Sequence, residues 1–482
     1  MINFRIIARV ISQMLIIEGL FMLVSAAVSL IYKENTVSSF FYSALITIVT
    51  GILVFTPLRN EERVYGTREG YILITSIWII FSLFSTLPFI FSGSIDNFSD
   101  AFFESISGFS ATAASIFTDI ELLPHGIIFW RSIIQWLGGI GIIIFSLSVL
   151  PVIKTLNIQL STTEFSGLVE EKIHPKITDT AVRLVTIYII ITIIEALFLK
   201  IGGMSFFDAV CHSFSTISTG GFSTRNNGIA TFTSTYIRII ITLFMFIGGI
   251  NLTLIYFGIK RNFKKITGNN EFILYVLICL AFSIIAGFIL HLSSGFSVGN
   301  AILDGTFHVI SIITTTGFYT QNYNLWSSLM ILILFFLMFI GGMAGSTAGG
   351  IKIIRLLIIG KNNRKGIRRL IHPDAYLPVR INKKIVPQNI VQNLLVFITL
   401  YFIIMCIGTL AISLMDYDIV TSFSTSASML GNIGPGLGTF GPFTNYSAIP
   451  AAGKWIFSGL MLLGRLELLT VLILFTRNFY KR

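Results

Sequence analysis

The sequence predicts an all-α polytopic membrane protein with four pseudo-symmetric units around one central pore. Each unit is a helix, a short pore helix and a second helix, and two extra transmembrane helices precede the first unit. Composition, long apolar runs and a repeated polar motif predict this fold. Of the 482 residues, 54% are hydrophobic and 11% are charged, which is too apolar for a water-soluble chain of this length.

Apolar runs are the first element of this prediction, because each can cross about 30 Å of hydrocarbon as a helix. Ten such runs lie near residues 4–31, 38–57, 71–91, 127–150, 182–200, 236–258, 272–292, 325–342, 390–415 and 455–476. The first run is interpreted as a retained helix and not as a signal peptide. It is long, contains Glu18 and lacks a small-residue cleavage site.

The net charge of +11 is concentrated in alternate loops. Lys and Arg occur at Arg59, Arg63, Arg68, Lys154, Lys172, Lys176, Lys260, Arg261, Lys264, Lys265, densely from Lys352 to Lys384, and at Arg477, Lys481 and Arg482. The intervening loops 92–126 and 293–326 contain neither residue type. By the positive-inside rule both termini are cytoplasmic. The charge therefore indicates topology, and no nucleic acid partner is expected.

A repeated motif lies in the loops on the outer side. Its copies are "DAFFESISGFSATAAS" from Asp100, "DAVCHSFSTISTGGFS" from Asp208, "DGTFHVISIITTTGFY" from Asp304 and "DIVTSFSTSASMLGNI" from Asp418. A following helix repeats "LGG" at 137–139, "IGG" at 247–249 and 340–342, and "LGR" at 463–465. The predicted division is an N-terminal two-helix region 1–70 and four units, 71–153, 154–265, 266–389 and 390–482.

The polar stretch after each short helix needs a physical explanation. Non-helical backbone lies at membrane depth only where it is buried in protein or lines water. The carboxyl ends of four short helices carry partial negative charge, and the four aspartates are predicted N-caps. Glycine can take positive φ and turn its carbonyl toward an ion. The motif therefore predicts a cation filter, with polar loops or glycine helix caps as the alternative.

These features resemble the Trk/Ktr/HKT superfamily of potassium uptake proteins. The extra N-terminal helix pair, "FFDAVCHSFSTISTGGFST", "GGMAGSTAGGIK" and "LMLLGRLELLTVLILF" resemble its bacterial TrkH/TrkG branch in particular. The resemblance implies a single-chain pore for K⁺, with Rb⁺ and Na⁺ as competitors, in the bacterial cytoplasmic (inner) membrane. It also implies a homodimer that binds a cytosolic TrkA-type nucleotide-binding ring. No covalently bound cofactor is expected.

The resemblance and the motif positions assign the ion-binding residues, with K⁺ expected at these residues only. They are Ala111, Thr112 and Ala113; Thr219, Gly220 and Gly221; Thr315, Thr316 and Gly317; and Leu430, Gly431 and Asn432. Ala113 departs from the family pattern, which has glycine there. Because a β-carbon is costly at positive φ, we expect a looser or differently shaped ring, and K⁺ over Na⁺ selectivity is left open.

Two features predict a gate below the filter. Arg465 lies in the last apolar run, where the other units carry a second glycine, and charges inside spans usually face a cavity. It is interpreted as a positive barrier, with a structural pair to a carboxylate or to carbonyls as the alternative. The glycine-rich run 341–352 cannot remain a firm helix. The resemblance implies a mobile loop there, with gate residues Gly345, Ser346, Thr347, Gly349 and Gly350, and a helix break or a close-packing glycine patch is the alternative.

Other functions are less well supported. The histidines show no metal-ligand spacing, and His212 and His308 are expected to hydrogen-bond behind the filter. No constellation for hydrolysis is evident, so we predict that the protein is not an enzyme. The alternative function is a secondary transporter, a cation-coupled symporter for another solute, although such proteins typically use inverted halves. Channel-like flow and H⁺- or Na⁺-coupled symport of K⁺ stay open, as does membrane lipid or a regulator as partner of the basic stretch 361–384.

Overall fold

The computed structural model describes residues 2–60, 66–155, 177–375 and 377–480. Its helices are α1 (Phe4–Ile31), α2 (Val37–Leu58), α3 (Thr67–Phe84), α4 (Leu87–Phe91), α5 (Phe98–Phe109), α6 (His125–Thr155), α7 (Ile177–Ile201), α8 (Phe206–Ile217), α9 (Thr235–Gly248), α10 (Leu252–Ile259), α11 (Phe263–Thr267), α12 (Asn270–Ser294), α13 (Val298–Ile313), α14 (Ser328–Leu337), α15 (Ile353–Ile371), α16 (Gln388–Ser413), α17 (Ile419–Gly431), α18 (Ala451–Arg465), α19 (Leu468–Leu472) and α20 (Arg477–Tyr480). Strands β1 (Arg380–Ile381) and β2 (Lys384–Ile385) form one antiparallel hairpin. Apart from this hairpin, the regular elements of the described residues are helices, and seven of them are long and apolar enough to cross a membrane. The predicted all-α membrane fold is therefore confirmed. The predicted topology charges Arg63, Lys172, Lys176, Lys481 and Arg482 lie outside the described residues.

The membrane-spanning capacity of the described chain lies in seven long apolar helices, or up to nine spans if two bent pairs are each counted once. α1 and α2 pack as a close pair. Small residues allow this approach, since a Cβ built on Gly51 would lie 2.9 Å from the Ser12 carbonyl oxygen. Of the ten predicted apolar runs, seven form these long helices. The other three form two bent helix pairs and the short helix α14.

These three predicted spans break at the glycine pair or at its equivalent. The run 236–258 bends by 106° between α9 and α10, and the run 455–476 bends by 112° after Arg465. In the run 325–342, helix α14 ends at Leu337 and the chain is non-helical until α15. One cause is local, because Asn251 accepts a hydrogen bond from Thr253 N at 2.8 Å and starts a new helix. α6, in contrast, continues through its own glycine pair.

The short helices α5, α8, α13 and α17 lie in the protein interior and present mostly buried side chains. Near the end of the chain, α18 packs against α5. In this contact Trp455 of α18 stacks on Phe102 of α5 with ring centroids 4.8 Å apart. Lys454 of α18 forms an ion pair with Asp100 at 2.7 Å. The chain therefore returns to its first short helix.

Candidate functional site

Each short helix is followed by two left-handed residues with one residue between them. The non-helical stretches are named segment 1 (110–118), segment 2 (218–226), segment 3 (314–322) and segment 4 (432–437). The left-handed pairs are Ala111 (φ 52°) and Ala113 (62°), Thr219 (54°) and Gly221 (79°), Thr315 (54°) and Gly317 (78°), and Asn432 (56°) and Gly434 (100°). The same unusual backbone thus recurs at the buried end of every short helix.

A backbone hydrogen bond also recurs in all four segments. The N–H of the middle residue donates to a carbonyl five residues earlier, in the last turns of the short helix. These bonds join Thr112 to Ser107 (2.9 Å), Gly220 to Ser215 (2.7 Å), Thr316 to Ser311 (2.8 Å) and Ile433 to Ser428 (2.9 Å). In a trans peptide the C=O and N–H groups point in opposite directions. The carbonyls of the first left-handed residues therefore point away from these helix-end acceptors.

Both patterns place the fourth set of residues at 432–434, two residues after the predicted 430–432 and three residues after the register given by aligning the aspartates. Leu430 and Gly431 belong to the last turn of α17, and Asn432 to Gly434 hold the equivalent conformation. The reason is helix capping. Asp418 is the N-cap of α17 and accepts from Thr421 N at 3.1 Å.

The other three aspartates lie inside their helices, whose N-cap residues are Asn97, Ser205 and Ser297. The expectation that all four aspartates are N-caps is therefore correct for Asp418 alone. Hydrogen bonding with Thr421 also holds the pKa of Asp418 below its usual value. Thr421, three residues later, takes the place that an aspartate holds in the other short helices.

The four segments contact one another in a closed cycle. A Cβ built on Gly221 would overlap the carbonyl oxygen of Thr316, and one built on Gly317 would overlap that of Ile433. Segment 4 reaches segment 1, because Asn432 Nδ2 donates to Thr112 Oγ1 at 3.0 Å. A Cβ on Gly434 would likewise overlap the Thr112 carbonyl. Positive φ and close backbone contact together require glycine at Gly221 and Gly317.

The junction between segments 1 and 2 differs from the other three. Ala113 adopts the left-handed conformation that glycine holds in the other segments, so its β-carbon is accommodated with no change of backbone region. That β-carbon lies 3.1 Å from a Cβ built on Gly221. Such a conformation costs an L-residue roughly 1–2 kcal/mol.

Polar side chains of the short helices support the segments from behind. His212 bonds Asp208 O at 2.8 Å and Ser223 Oγ at 2.9 Å. His308 similarly bonds the Asp304 carbonyl at 2.8 Å and accepts from Thr320 N, in segment 3, at 3.4 Å. Both histidines are buried, and the expected hydrogen-bonding role is observed. Each histidine therefore fixes its segment from behind.

A cavity of about 290 Å³ lies on one side of the cycle. Its lining includes Ala113, Gly221, Gly317 and Pro435, one residue from each segment, together with polar and aromatic groups. A water molecule occupies about 30 Å³ in the liquid. The cavity can therefore hold several waters in contact with all four segments.

The glycine-rich stretch 338–352, here called the loop, contacts the cycle and the ends of the short helices. Gly349 N donates to Thr315 Oγ1 at 2.7 Å. Thr347 Oγ1 donates to the Ile217 carbonyl at 2.9 Å, at the end of α8. A Cβ on Gly349 would lie 2.5 Å from the Gly431 carbonyl oxygen. The loop thus contacts residues that follow or end three of the four short helices, α8, α13 and α17.

Arg465 is bonded to this loop. Its Nη1 donates to the Thr347 carbonyl at 2.7 Å, while Nε and Nη2 have no hydrogen-bond partner among the described residues. Glu467 pairs instead with Arg355 at 2.9 Å. Only about 30 Å³ is open beside Gly349 and Arg465, which is room for roughly two waters. The structure therefore brings the two predicted gate elements into direct hydrogen-bond contact.

Two important anchors of the loop were not predicted. Glu271 Oε1 accepts from Ala344 N at 2.7 Å and from Ile354 N at 3.2 Å, so one carboxylate joins the middle of the loop to the first turn of α15. Asn251 Nδ2 donates to the Ala344 carbonyl at 2.6 Å. A carboxylate at the start of an apolar run was the available sequence signal for Glu271.

Gln135 was also missed. Its Nε2 donates to the Gly220 carbonyl at 2.8 Å and its Oε1 accepts from Phe222 N at 3.1 Å. A lone amide inside a long apolar run was the signal in this case. Within the described part of the chain, no group of three or more His, Cys, Asp or Glu side chains could hold a metal ion. The segments themselves present backbone carbonyl and hydroxyl oxygens.

The fold and the site together define a polytopic membrane transport protein with oxygen-lined, non-helical backbone in its interior. Comparison with known proteins gives the particular family. A family model described as "TrkH: Cation transport protein" matches residues 36–480, and the chain belongs to this family.

Relatives match along the whole chain. The Trk system potassium uptake protein TrkH of Escherichia coli (strain K12) is 34% identical over 483 residues, covering 99% of this chain and 100% of the relative. The TrkH protein of Halomonas elongata is 35% identical and covers 100% of both chains. The crystal structure of the potassium transporter TrkH from Vibrio parahaemolyticus matches with a TM-score of 0.91 and 31% identity, covering 100% of both chains.

Proposed function

We propose that the protein takes up K⁺ across the bacterial cytoplasmic membrane through a gated, channel-like pore. The observation that carries the proposal is the closed cycle of four left-handed segments, each at the carboxyl end of a buried short helix. Four helix ends of partial negative charge favour a cation. The relatives are named as potassium uptake proteins, and K⁺ is therefore the proposed substrate, with Rb⁺ and Na⁺ as competitors.

The ion-facing groups of this proposal are backbone oxygens of residues 111–113, 219–221 and 315–317. In the fourth unit they come from 432–434 in place of the predicted 430–432, because the equivalent backbone lies there. The carbonyls of Ala111, Thr219, Thr315 and Asn432 are the strongest candidates, since they point away from the helix-end acceptors. Such oxygens would replace the hydration shell of K⁺.

Gating is proposed to act through the loop and Arg465. In the closed arrangement the guanidinium lies below the cycle and repels cations, and the loop fills the remaining space. Gly345, Ser346, Thr347, Gly349 and Gly350 belong to the part that moves. Opening requires release of the bonds to Thr315, Ile217 and Arg465.

The assembly and topology proposals rest on the family. They comprise the four units with the boundaries predicted above, a homodimer, cytoplasmic termini and a cytosolic TrkA-type ring. The exposed basic residues of the second half of α15 support a cytosolic or headgroup-facing contact for this helix. H⁺- or Na⁺-coupled symport of K⁺ is kept as a variant of the proposal.

The experiment that tests the function is ion flux into liposomes that contain the purified full-length protein. Uptake of K⁺, Rb⁺, Na⁺ and Li⁺ is measured under an imposed membrane potential, with and without H⁺ and Na⁺ gradients. K⁺ and Rb⁺ uptake that follows the potential alone supports the pore. Uptake that requires a second gradient supports symport. No movement of any monovalent cation, even with a regulator added, would sink the proposal and favour the transporter of another solute.

A further inference from the structure

A polar pair lies where the other three units carry apolar residues. In α6, Gln135 and Arg131 stand two and six residues before the "LGG" triplet. The matching positions of the other units hold Met245 and Ile241, Met338 and Leu334, and Met461 and Phe457. All of these side chains are buried, so the units differ here in polarity and not in exposure. A polar group is buried at a cost unless hydrogen bonds compensate it, and both polar residues make such bonds.

Gln135 fixes the backbone on both sides of Gly221. Its amide donates to the carbonyl of Gly220 and accepts from the N–H of Phe222. These two bonds set the peptide planes before and after the left-handed residue. A single orientation of the Gln135 amide satisfies both bonds, because the Gly220 carbonyl can only accept and the Phe222 N–H can only donate.

Arg131, one turn before Gln135, joins segment 1 to segment 2. Its Nε pairs with Glu104 Oε1 at 2.7 Å, and Nη2 donates to Ser115 Oγ at 3.0 Å. Nη1 reaches the Ser223 carbonyl at 3.4 Å. Glu104 in turn accepts from Ile116 N at 2.9 Å. Arg131 and Glu104 thus form a fully buried ion pair whose charges balance. Their hydrogen bonds hold segments 1 and 2 together.

Gln135 and Arg131 lie at the junction between segments 1 and 2, which lacks the glycine contact of the other junctions. At three junctions a glycine faces the carbonyl of a middle residue, namely that of Thr316, Ile433 or Thr112. At the remaining junction, between segments 1 and 2, Ala113 replaces the glycine and the middle residue is Gly220. The Gly220 carbonyl is the group that accepts from Gln135.

We propose that Gln135 and Arg131, together with Glu104, form a positioning brace that sets the preference of the pore for K⁺ over Na⁺. The brace keeps segments 1 and 2 at a fixed distance from each other. It is needed at this junction because the β-carbon of Ala113 prevents the close contact with a backbone carbonyl that glycine makes at the other junctions. This inference rests on the proposed function. None of the three side chains is assigned to ion binding.

The test replaces Gln135 with the residue of the matching positions. Gln135→Met is purified at full length, reconstituted in liposomes and assayed for K⁺ and Na⁺ uptake under the same imposed potential. The K⁺ to Na⁺ ratio is expected to fall about fivefold to tenfold, as for the loss of one or two hydrogen bonds, with K⁺ flux changed less than about twofold. Met245→Leu, at a matching position of the second unit, is the control and is expected to keep the ratio.

A double variant separates a positioning role from general damage. Ala113→Gly added to Gln135→Met restores a glycine at this junction, and the ratio is expected to recover in part. If Gln135→Met does not fold, as judged by size-exclusion chromatography, Arg131→Lys is measured in the same way. Arg131→Lys keeps a charge beside Glu104 but removes the fork that reaches Ser115 and Ser223.

The outcomes are distinct for the two proposals. A folded Gln135→Met with an unchanged K⁺ to Na⁺ ratio overturns the brace and leaves K⁺ uptake standing. Equal passage of K⁺ and Na⁺ by the unaltered protein also overturns the brace, since no preference is then set. Absence of K⁺ uptake by the unaltered protein overturns the proposed function itself.

Discussion

The segment cycle and the loop below it are both non-helical backbone in the protein interior, yet different forces hold them. The cycle is closed largely by backbone contacts, such as Gly317 against the Ile433 carbonyl. The loop is held by side-chain hydrogen bonds of Glu271, Asn251 and Arg465 in addition to backbone bonds such as that of Met343 N to the Gly249 carbonyl. In the proposed function, the side-chain bonds of the loop break on opening, while the backbone contacts of the cycle persist. This contrast fits the proposal that the cycle selects the ion and that the loop moves.

The largest effect is expected from a side chain added to the cycle. In Gly317→Ser, the β-carbon would overlap the Ile433 carbonyl and occupy a left-handed backbone, so the segments must move apart. We expect the K⁺ to Na⁺ ratio in liposome uptake to fall roughly tenfold, the equivalent of about 1.4 kcal/mol. Gly459→Ser is the matched control, because no atom lies within 4 Å of a Cβ built there.

An unchanged ratio in a folded Gly317→Ser protein would show that segment 3 does not face the ion. A loss of selectivity in Gly459→Ser would show that the assay reports general damage. The comparison of the two glycines therefore tests the cycle directly.

The second largest effect is expected from a change at Arg465, which is bonded to the loop. Arg465→Ala removes a buried positive charge and the bond to the Thr347 carbonyl. We expect uptake of K⁺ to rise roughly fivefold, since a guanidinium in a low-dielectric passage opposes cation entry. Arg465→Lys keeps the charge and should raise flux less. Reduced flux in a folded Arg465→Ala protein would contradict the barrier and favour a structural bond to carbonyls.

The sequence predicted the features that depend on composition and on strong local signals. The apolar runs, the four short helices, the glycines at 221 and 317 and the break in the glycine-rich run were all evident from residue types. The family was also identified from its motifs. These features follow from burial, helix propensity and backbone freedom, which act over a few neighbouring residues.

The features that the sequence did not predict depend on position in space or on a cap. The shift in segment 4 arises because Asp418 caps its helix while Asp208 lies within the first turn of its own. The support from Gln135 crosses from one unit to the next, at a separation of 85 residues from Gly220. Alignment of single sequences by aspartates cannot detect either difference.

A smaller effect is expected when the loop loses an anchor but keeps its own sequence. Glu271→Ala leaves the N–H groups of Ala344 and Ile354 without the carboxylate oxygen that they share. We expect K⁺ flux to rise about twofold and the apparent Tm to fall, because each unsatisfied buried donor costs about 1–3 kcal/mol. Because Glu271→Gln retains an acceptor oxygen, its K⁺ flux and apparent Tm should lie between those of Glu271→Ala and those of the unaltered protein. Lower Tm without any change in flux would mean that the anchor serves stability alone.

The smallest effect sharpens the comparison within the cycle itself. Ala113→Gly removes a β-carbon from a left-handed residue, which relieves strain but gives the unfolded chain more freedom. The two effects are of similar size, so we expect a net stabilisation of no more than about 1 kcal/mol. The measurements are the apparent Tm in detergent and the K⁺ to Na⁺ ratio in liposomes. If the brace already fixes this junction, the ratio should stay within about twofold of that of the unaltered protein, because the hydrogen bonds of Gln135 are kept. A clear rise in the ratio would show instead that the alanine loosens the cycle and that the brace compensates only in part.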